Sequence, residues 1–124
     1  MVFLSAVRSA MKVSTGLTGL PVHPDGATAL RMLYGKILRV LDRMPEEAAY
    51  RQYTASIIGE RLEIVQTHGD DLGTLEAKIN CGQVEELIQQ AEQELFLARK
   101  MEKWQPWEPL IEEAPPSQWK WPLF

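Results

Sequence analysis

The sequence predicts an all-α fold: a small three-helix bundle, plus a short helix before the last, flanked by an extended N-terminal segment and a Trp/Pro-rich C-terminal tail. Three long runs place apolar residues at helical spacing, and no run alternates with the period of a strand. A third observation sets the boundaries: all four tryptophans and five of the eight prolines lie in residues 104–124, WQPWEPLIEEAPPSQWKWPLF. The chain therefore divides into residues 1–24, a bundle over 25–103, and the tail over 104–124.

The first helix starts at Asp25, a residue type that caps helix N-termini, and runs to Met44 before Pro45. Leu30, Leu33, Tyr34, Ile37, Leu38, Leu41 and Met44 form one stripe, with Arg31, Lys36, Arg39 and Arg43 mostly off it. Pro45 is expected to open the second helix, because proline is tolerated in a first turn. Glu46 and Glu47 follow near the positive end of the helix dipole. Tyr50, Tyr53, Ile57, Ile58, Leu62, Ile64 and Val65 give that helix a broad apolar face ending near His68. Gly59 inside it costs about 1 kcal/mol relative to alanine, which close helix packing would explain.

Asp71 to Asn80 reads as a short helix with Leu72, Leu75 and Ile79 on one side, ended by Gly82. From Gln83 a long helix reaches Lys103, its inner stripe being Val84, Leu87, Ile88, Ala91, Leu95, Ala98 and Met101. Phe96 and Leu97 fall beside that stripe.

The 124 residues carry a net charge of −4, which argues against nucleic-acid binding. Charge is uneven: residues 25–45 hold four basic and two acidic groups, whereas 46–103 hold six and twelve. One cysteine, Cys81, excludes an intramolecular disulfide. No apolar run approaches the roughly eighteen residues that span a bilayer. The basic, acid-free start MVFLSAVRSAMKVSTG fits mitochondrial targeting and fits a short unstructured terminus equally.

Residues that could carry chemistry are sparse. His23 and His68 lie in different loops without partners at zinc spacing. Cys81 has no nearby base and reads as a small packing residue at a helix junction. Glu85, Glu86, Glu92 and Glu94 lack the Glu-x-x-His pairs of a di-metal bundle and read as a solvated acidic face. Gly16 and Gly19 in TGLTGL follow no strand and precede no Lys-Ser/Thr, so they make no phosphate loop. No catalytic residue, metal or cofactor is expected.

The tail is the candidate site. Four tryptophans bury roughly 600–1,000 Å² when covered, more than the largest apolar patch most monomers expose. Trp104 and Trp107 adjoin the long helix and are expected to fold back on the bundle. Trp119 and Trp121 share a side if the segment is extended, and read as anchors on another protein. Pro106-Trp107-Glu108-Pro109 also matches the PxxP peptide motif, which leaves a free helical adaptor, its tail bound by a peptide-recognition domain, as the alternative.

Four stretches then resemble one family: TGLTGL (15–20), LYGKILRVLDRMPEEAAYRQYT (33–54), GQVEELIQQAEQELFLARKMEKWQPWEPL (82–110) and QWKWP (118–122). The chain is similar to the alpha-subcomplex subunit five family of mitochondrial NADH:ubiquinone oxidoreductase, respiratory complex I. Its lead-in before the TGL motif is longer than is usual in that family. The resemblance implies a non-catalytic accessory subunit that binds no flavin, iron–sulfur cluster or quinone. It places the subunit peripherally on the matrix side of the inner membrane, docked on other subunits of the peripheral arm. Partner contacts are expected at Trp119, Trp121 and Pro122, with Trp104, Trp107 and Pro109 as the hinge between bundle and tail.

Overall fold

The structure is a computed structural model that describes residues 12–122. Among the described residues four helices follow one another: α1 Gly26–Leu41, α2 Ala49–His68, α3 Leu72–Ile79 and α4 Val84–Trp104. Among the described residues there is no strand. The expected all-α bundle is the observed fold, with α1 as its shared member. α1 packs against both α4 and α2, and α2 packs against α3.

Leu30, Tyr34, Ile37 and Leu41 of α1 are essentially fully buried. Their spacing of four, three and four keeps them on one side of the helix. They meet Ile58 and Val65 of α2, Leu75 of α3, and Val84, Leu87, Ile88, Ala91, Leu95 and Ala98 of α4 in one cluster. The predicted α4 stripe is thus the buried one, save that Met101 is only partly covered. The entry to α1 shows why a glycine is needed there. A Cβ on Gly26 would lie 2.2 Å from Val84 Cγ1, so the first turn approaches α4 at backbone distance.

One helix cap and two helix boundaries differ from expectation. Asp25 precedes α1 but its side chain makes no capping bond; instead its amide donates to His23 Nδ1 at 3.0 Å. α1 closes at Leu41 and tightens into i→i+3 turns, Arg43 N–H to Val40 O and Met44 N–H to Leu41 O, which carry Met44 inward. Pro45 does not open α2. It forms a turn with Ala48 (N–H to Pro45 O, 3.1 Å), and the extended backbone at Ala48 buries that methyl before the helix starts. Glu46 and Glu47 belong to this turn rather than to the helix.

The apolar face of α2 is narrower than its sequence implies. Ile58 and Val65 are buried and Tyr50, Ala55 and Leu62 partly so, whereas Tyr53 and Ile57 face outward. Nor does close packing account for Gly59, since no atom would lie within 4 Å of a Cβ there. α3 is capped at both ends: Asp71 accepts from Thr74 N–H at 3.3 Å and from Thr74 Oγ1–H at 2.5 Å, and Asn80 stops the helix with φ 55°. α4 opens with Gln83 N–H donating to the Glu86 carboxylate at 2.7 Å.

Gly59→Ala is expected to stabilise the bundle by about 0.5–1 kcal/mol, because the helix already accepts a side chain there and the unfolded chain loses freedom. Thermal unfolding of the two proteins, followed by circular dichroism, measures this; a lowered midpoint would mean that the α2 surface is tighter than it is here.

Candidate functional site

The tail leaves α4 through Gln105, whose left-handed backbone (φ 54°) ends the helix. Glu108 N–H then bonds Gln105 O at 3.1 Å, and this turn swings Trp107 back to the bundle. Trp107 packs against the core beside Ala48, Ala49, Tyr50, Met101 and Pro106. Trp104, expected to seal the bundle with it, is 63% exposed, because at 3.6 residues per turn it falls off the buried stripe of α4. Pro109 and Pro122 are exposed, and Trp119 and Trp121 are 86% and 84% exposed. Of the six residues singled out in the sequence, the fold therefore draws one inward and leaves five in solvent. Nor is the far end strand-like: Gln118 N–H bonds Pro115 O and Lys120 N–H bonds Ser117 O. Those turns remove the alternation that would place Trp119 and Trp121 on one side.

The N-terminal segment is fastened by a charge cluster that sequence inspection missed. Lys12 Nζ reaches Glu76 at 2.8 Å, Glu85 at 2.8 Å and Gln83 at 3.1 Å. Glu85 is buried, 4% exposed, and its other oxygen accepts His23 N–H at 3.3 Å. It thus departs from the solvated acidic face expected of it. Gln83 Nε2 donates to Thr15 O at 2.7 Å, and Thr15 Oγ1 closes the TGLTGL loop by donating to Leu20 O at 2.6 Å. Burial alone would raise the Glu85 carboxyl. The bonds from Lys12, the backbone amides of Glu85 and His23, and the Lys12 charge outweigh it and hold Glu85 below its ordinary range. Burial likewise works to lower Lys12, but Glu76 and Glu85 overcome it and raise the ammonium.

Between α2 and α4 lies a groove of about 480 Å³, floored by Tyr34 and edged by Ile57, Arg61, Gln90 and Leu97. The Tyr34 hydroxyl is buried with no hydrogen-bond partner among the described residues. Burial raises it, against the opposing influence of Arg61. Arg61 itself donates to Gln90 at 3.2 Å and to Cys81 Sγ at 3.3 Å. Cys81 is exposed and does not serve as the packing residue expected from its position. At the α2–α4 end near the tail, Tyr50 donates to Glu94 at 2.5 Å; burial first, then this bond, pushes the phenol well up. Among the described residues no three His, Cys, Asp or Glu side chains gather as a metal site would require.

The described residues thus form a helical bundle with a charge-fastened N-terminal segment and a largely uncovered aromatic tail. Residues 19–86 match the family described as the ETC complex I subunit conserved region. The chain is 52% identical to NADH dehydrogenase (ubiquinone) 1 alpha subcomplex subunit 5 of Bos taurus, over 91% of this chain and 97% of that one. It is 51% identical to the Mus musculus protein of the same name, with the same coverage. A Caenorhabditis elegans protein, called a probable subunit of that name, is 47% identical over 90% of this chain and 74% of its own. The chain belongs to this family of complex I alpha subcomplex subunits.

Two substitutions separate the roles of these regions. Lys12→Met leaves Glu85 without its cation and is expected to cost about 1–3 kcal/mol. The sign of its pH dependence follows from the two shifts. The depressed Glu85 contributes stability above 4.5, lost as pH falls through its folded value. The raised Lys12 contributes below 10.5, lost as pH rises through its folded value. Denaturant midpoints should therefore fall on both limbs in the parent protein and lose the alkaline limb's Lys12 component in the variant. In the tail, Trp107→Ala is expected to lower bundle stability by about 1–3 kcal/mol, whereas Trp119→Ala leaves it unchanged. Equal effects in thermal melts would contradict the different placements of the two rings.

Proposed function

We propose that this chain is a non-catalytic accessory subunit of mitochondrial respiratory complex I that supports assembly and stability of the matrix peripheral arm. The observation that carries this reading is the 52% identity spanning 91% of the chain and 97% of a relative named as a complex I subunit. Its partners are then the other subunits of that arm, and electrons pass from NADH to ubiquinone through them. The chain itself needs no active site. The bundle is the rigid body, and the ends of the chain provide attachment. Trp119, Trp121 and Pro122 contact neighbouring subunits, with Trp104, Trp107 and Pro109 as the hinge. Trp107 fills the bundle end of that hinge and so sets where the remainder of the tail departs.

Peripheral attachment on the matrix side of the inner membrane is part of the same proposal. Among the described residues no helix is long and apolar enough to cross a membrane. The exposed rings at Trp119 and Trp121 have the size and rigidity of residues that anchor protein interfaces.

Native electrophoresis of mitochondrial extract should find the chain within a very large NADH-oxidising complex, and a predominantly free monomer would overturn the proposal. The tail is tested by Trp119→Ala with Trp121→Ala. This double variant should keep the parent melting temperature while its incorporation weakens on the order of tenfold or more, as loss of aromatic anchors does. Normal incorporation would remove these rings from the interface.

A further inference from the structure

The outward face of α1 has a composition that neither the bundle nor the tail explains. α1 carries Arg31, Lys36 and Arg39 and not one acidic residue, within a chain whose net charge is −4. Arg43 follows in the closing turn, and all four side chains are exposed. At 3.6 residues per turn they fall within an arc of roughly 140°, opposite the buried stripe of Leu30, Tyr34, Ile37 and Leu41. Exposed Met32 lies in the middle of that arc.

Among the described residues these cations are largely uncompensated. Among the described residues only Arg43 has a carboxylate within reach, Glu102 at 3.5 Å, and that pair is largely in solvent. Arg39 donates to the carbonyl of Gly35 one turn back at 3.3 Å. The Arg31 guanidinium lies over Gly69, where any Cβ would collide with it. Like charges three and four positions apart destabilise a helix, so this face costs stability in the isolated bundle. An acidic surface laid against it would reverse the sign of that interaction.

We infer that the outward face of α1 is a second docking surface, one that receives an acidic patch, the Asp and Glu side chains of a neighbouring subunit. The inference rests on the proposed placement within complex I. Three of the four cations are arginines, whose planar fork binds carboxylates through two parallel bonds and which are enriched at protein interfaces. Met32 supplies a small apolar centre for such a contact. A membrane surface fits less well: the face has no aromatic residue and one exposed apolar side chain, too little to enter a lipid interface. A nucleic acid would meet the net negative charge of the rest of the chain.

Purified complex I with the chain in place provides the test. A water-soluble carbodiimide joins an amine to a carboxylate only where the two touch, and mass spectrometry identifies the joined peptides. Lys36 is expected to couple to an Asp or Glu of another subunit, and to react with an acetylating reagent about tenfold more slowly in the complex than in the free chain. Coupling of Lys36 to no other subunit, or only to Glu108, Glu112 or Glu113 of its own tail, overturns the inference. So does protection that disappears when anionic lipid is removed, since it assigns the face to headgroups. Arg31→Gln with Arg39→Gln should leave helix content unchanged and lower incorporation on the order of tenfold, while the two lysine replacements retain most of it. Absence of the parent chain from the complex would instead defeat the functional reading, which keeps the two failures apart.

Discussion

Everything in this fold depends on burying one helix from two sides. α1 packs against α2 and α4, and its buried side chains tie the core together. A chain of this size has a small interior, so a single helix serves as the common wall for the others. That economy fixes the remaining surfaces. The third side of α1 must face solvent, and it is there that Arg31, Lys36 and Arg39 collect. The groove between α2 and α4, floored by Tyr34, is the other consequence of arranging two helices around one.

The charge cluster at Lys12 plays a different part, joining the N-terminal segment to α3 and α4, from which it is far removed in sequence. Glu85 lies in the first turn of α4, where the helix dipole favours an anion. Its burial requires a cation, which the leader supplies from 73 positions away. The same carboxylate receives the His23 amide, while Glu76 of α3 receives both Lys12 and the Val84 amide. Leader, α3 and α4 are thus referred to one small set of oxygens. Because such pairs lose much when one partner is removed, the arrangement fixes geometry more than it adds net stability.

Helix identity and the main core stripe were legible in the sequence because both follow from local spacing. The seven predicted inner residues of α4 include six that are buried, and the α1 stripe is found where the periodicity puts it. Errors arose where distant contacts decided the outcome. Pro45 obeys the rule for a helix start, but burial of Ala48 requires an extended residue first, and the helix begins after it. Ile57 is as apolar as Ile58 and yet, like Tyr53, faces outward, because α2 has α1 on only one side. Glu85 looks like any first-turn acid; only the position of Lys12, invisible in a linear reading, buries it. For the candidate site, the sequence singles out the tail tryptophans but cannot apportion them between bundle and solvent. Nothing local distinguishes Trp104 from Trp107, and the turn at Gln105 sends the second inward and not the first.

That turn also bears on the proposed engagement of the tail with other proteins. A PxxP ligand is read as an open polyproline II helix whose prolines lie in aromatic grooves. Pro106-Trp107-Glu108-Pro109 does not have that form, since Glu108 N–H bonds back to Gln105 and Trp107 is engaged with its own core. Presenting this segment to a peptide-recognition domain would require unseating Trp107 and breaking the turn, a cost that competes directly with binding. The distal rings face no such competition. Trp119 and Trp121 are free of the bundle, and turn bonds from the Gln118 and Lys120 amides to the Pro115 and Ser117 carbonyls hold the chain around Trp119. Prolines and turns reduce the freedom that association must remove, so a partner gains aromatic contact at a smaller entropic cost. The tail is therefore better suited to a fixed seat within an assembly than to capture as a loose peptide. In the proposed seat Trp107 sets where the tail starts, and the distal tryptophans are the rings left open for contact.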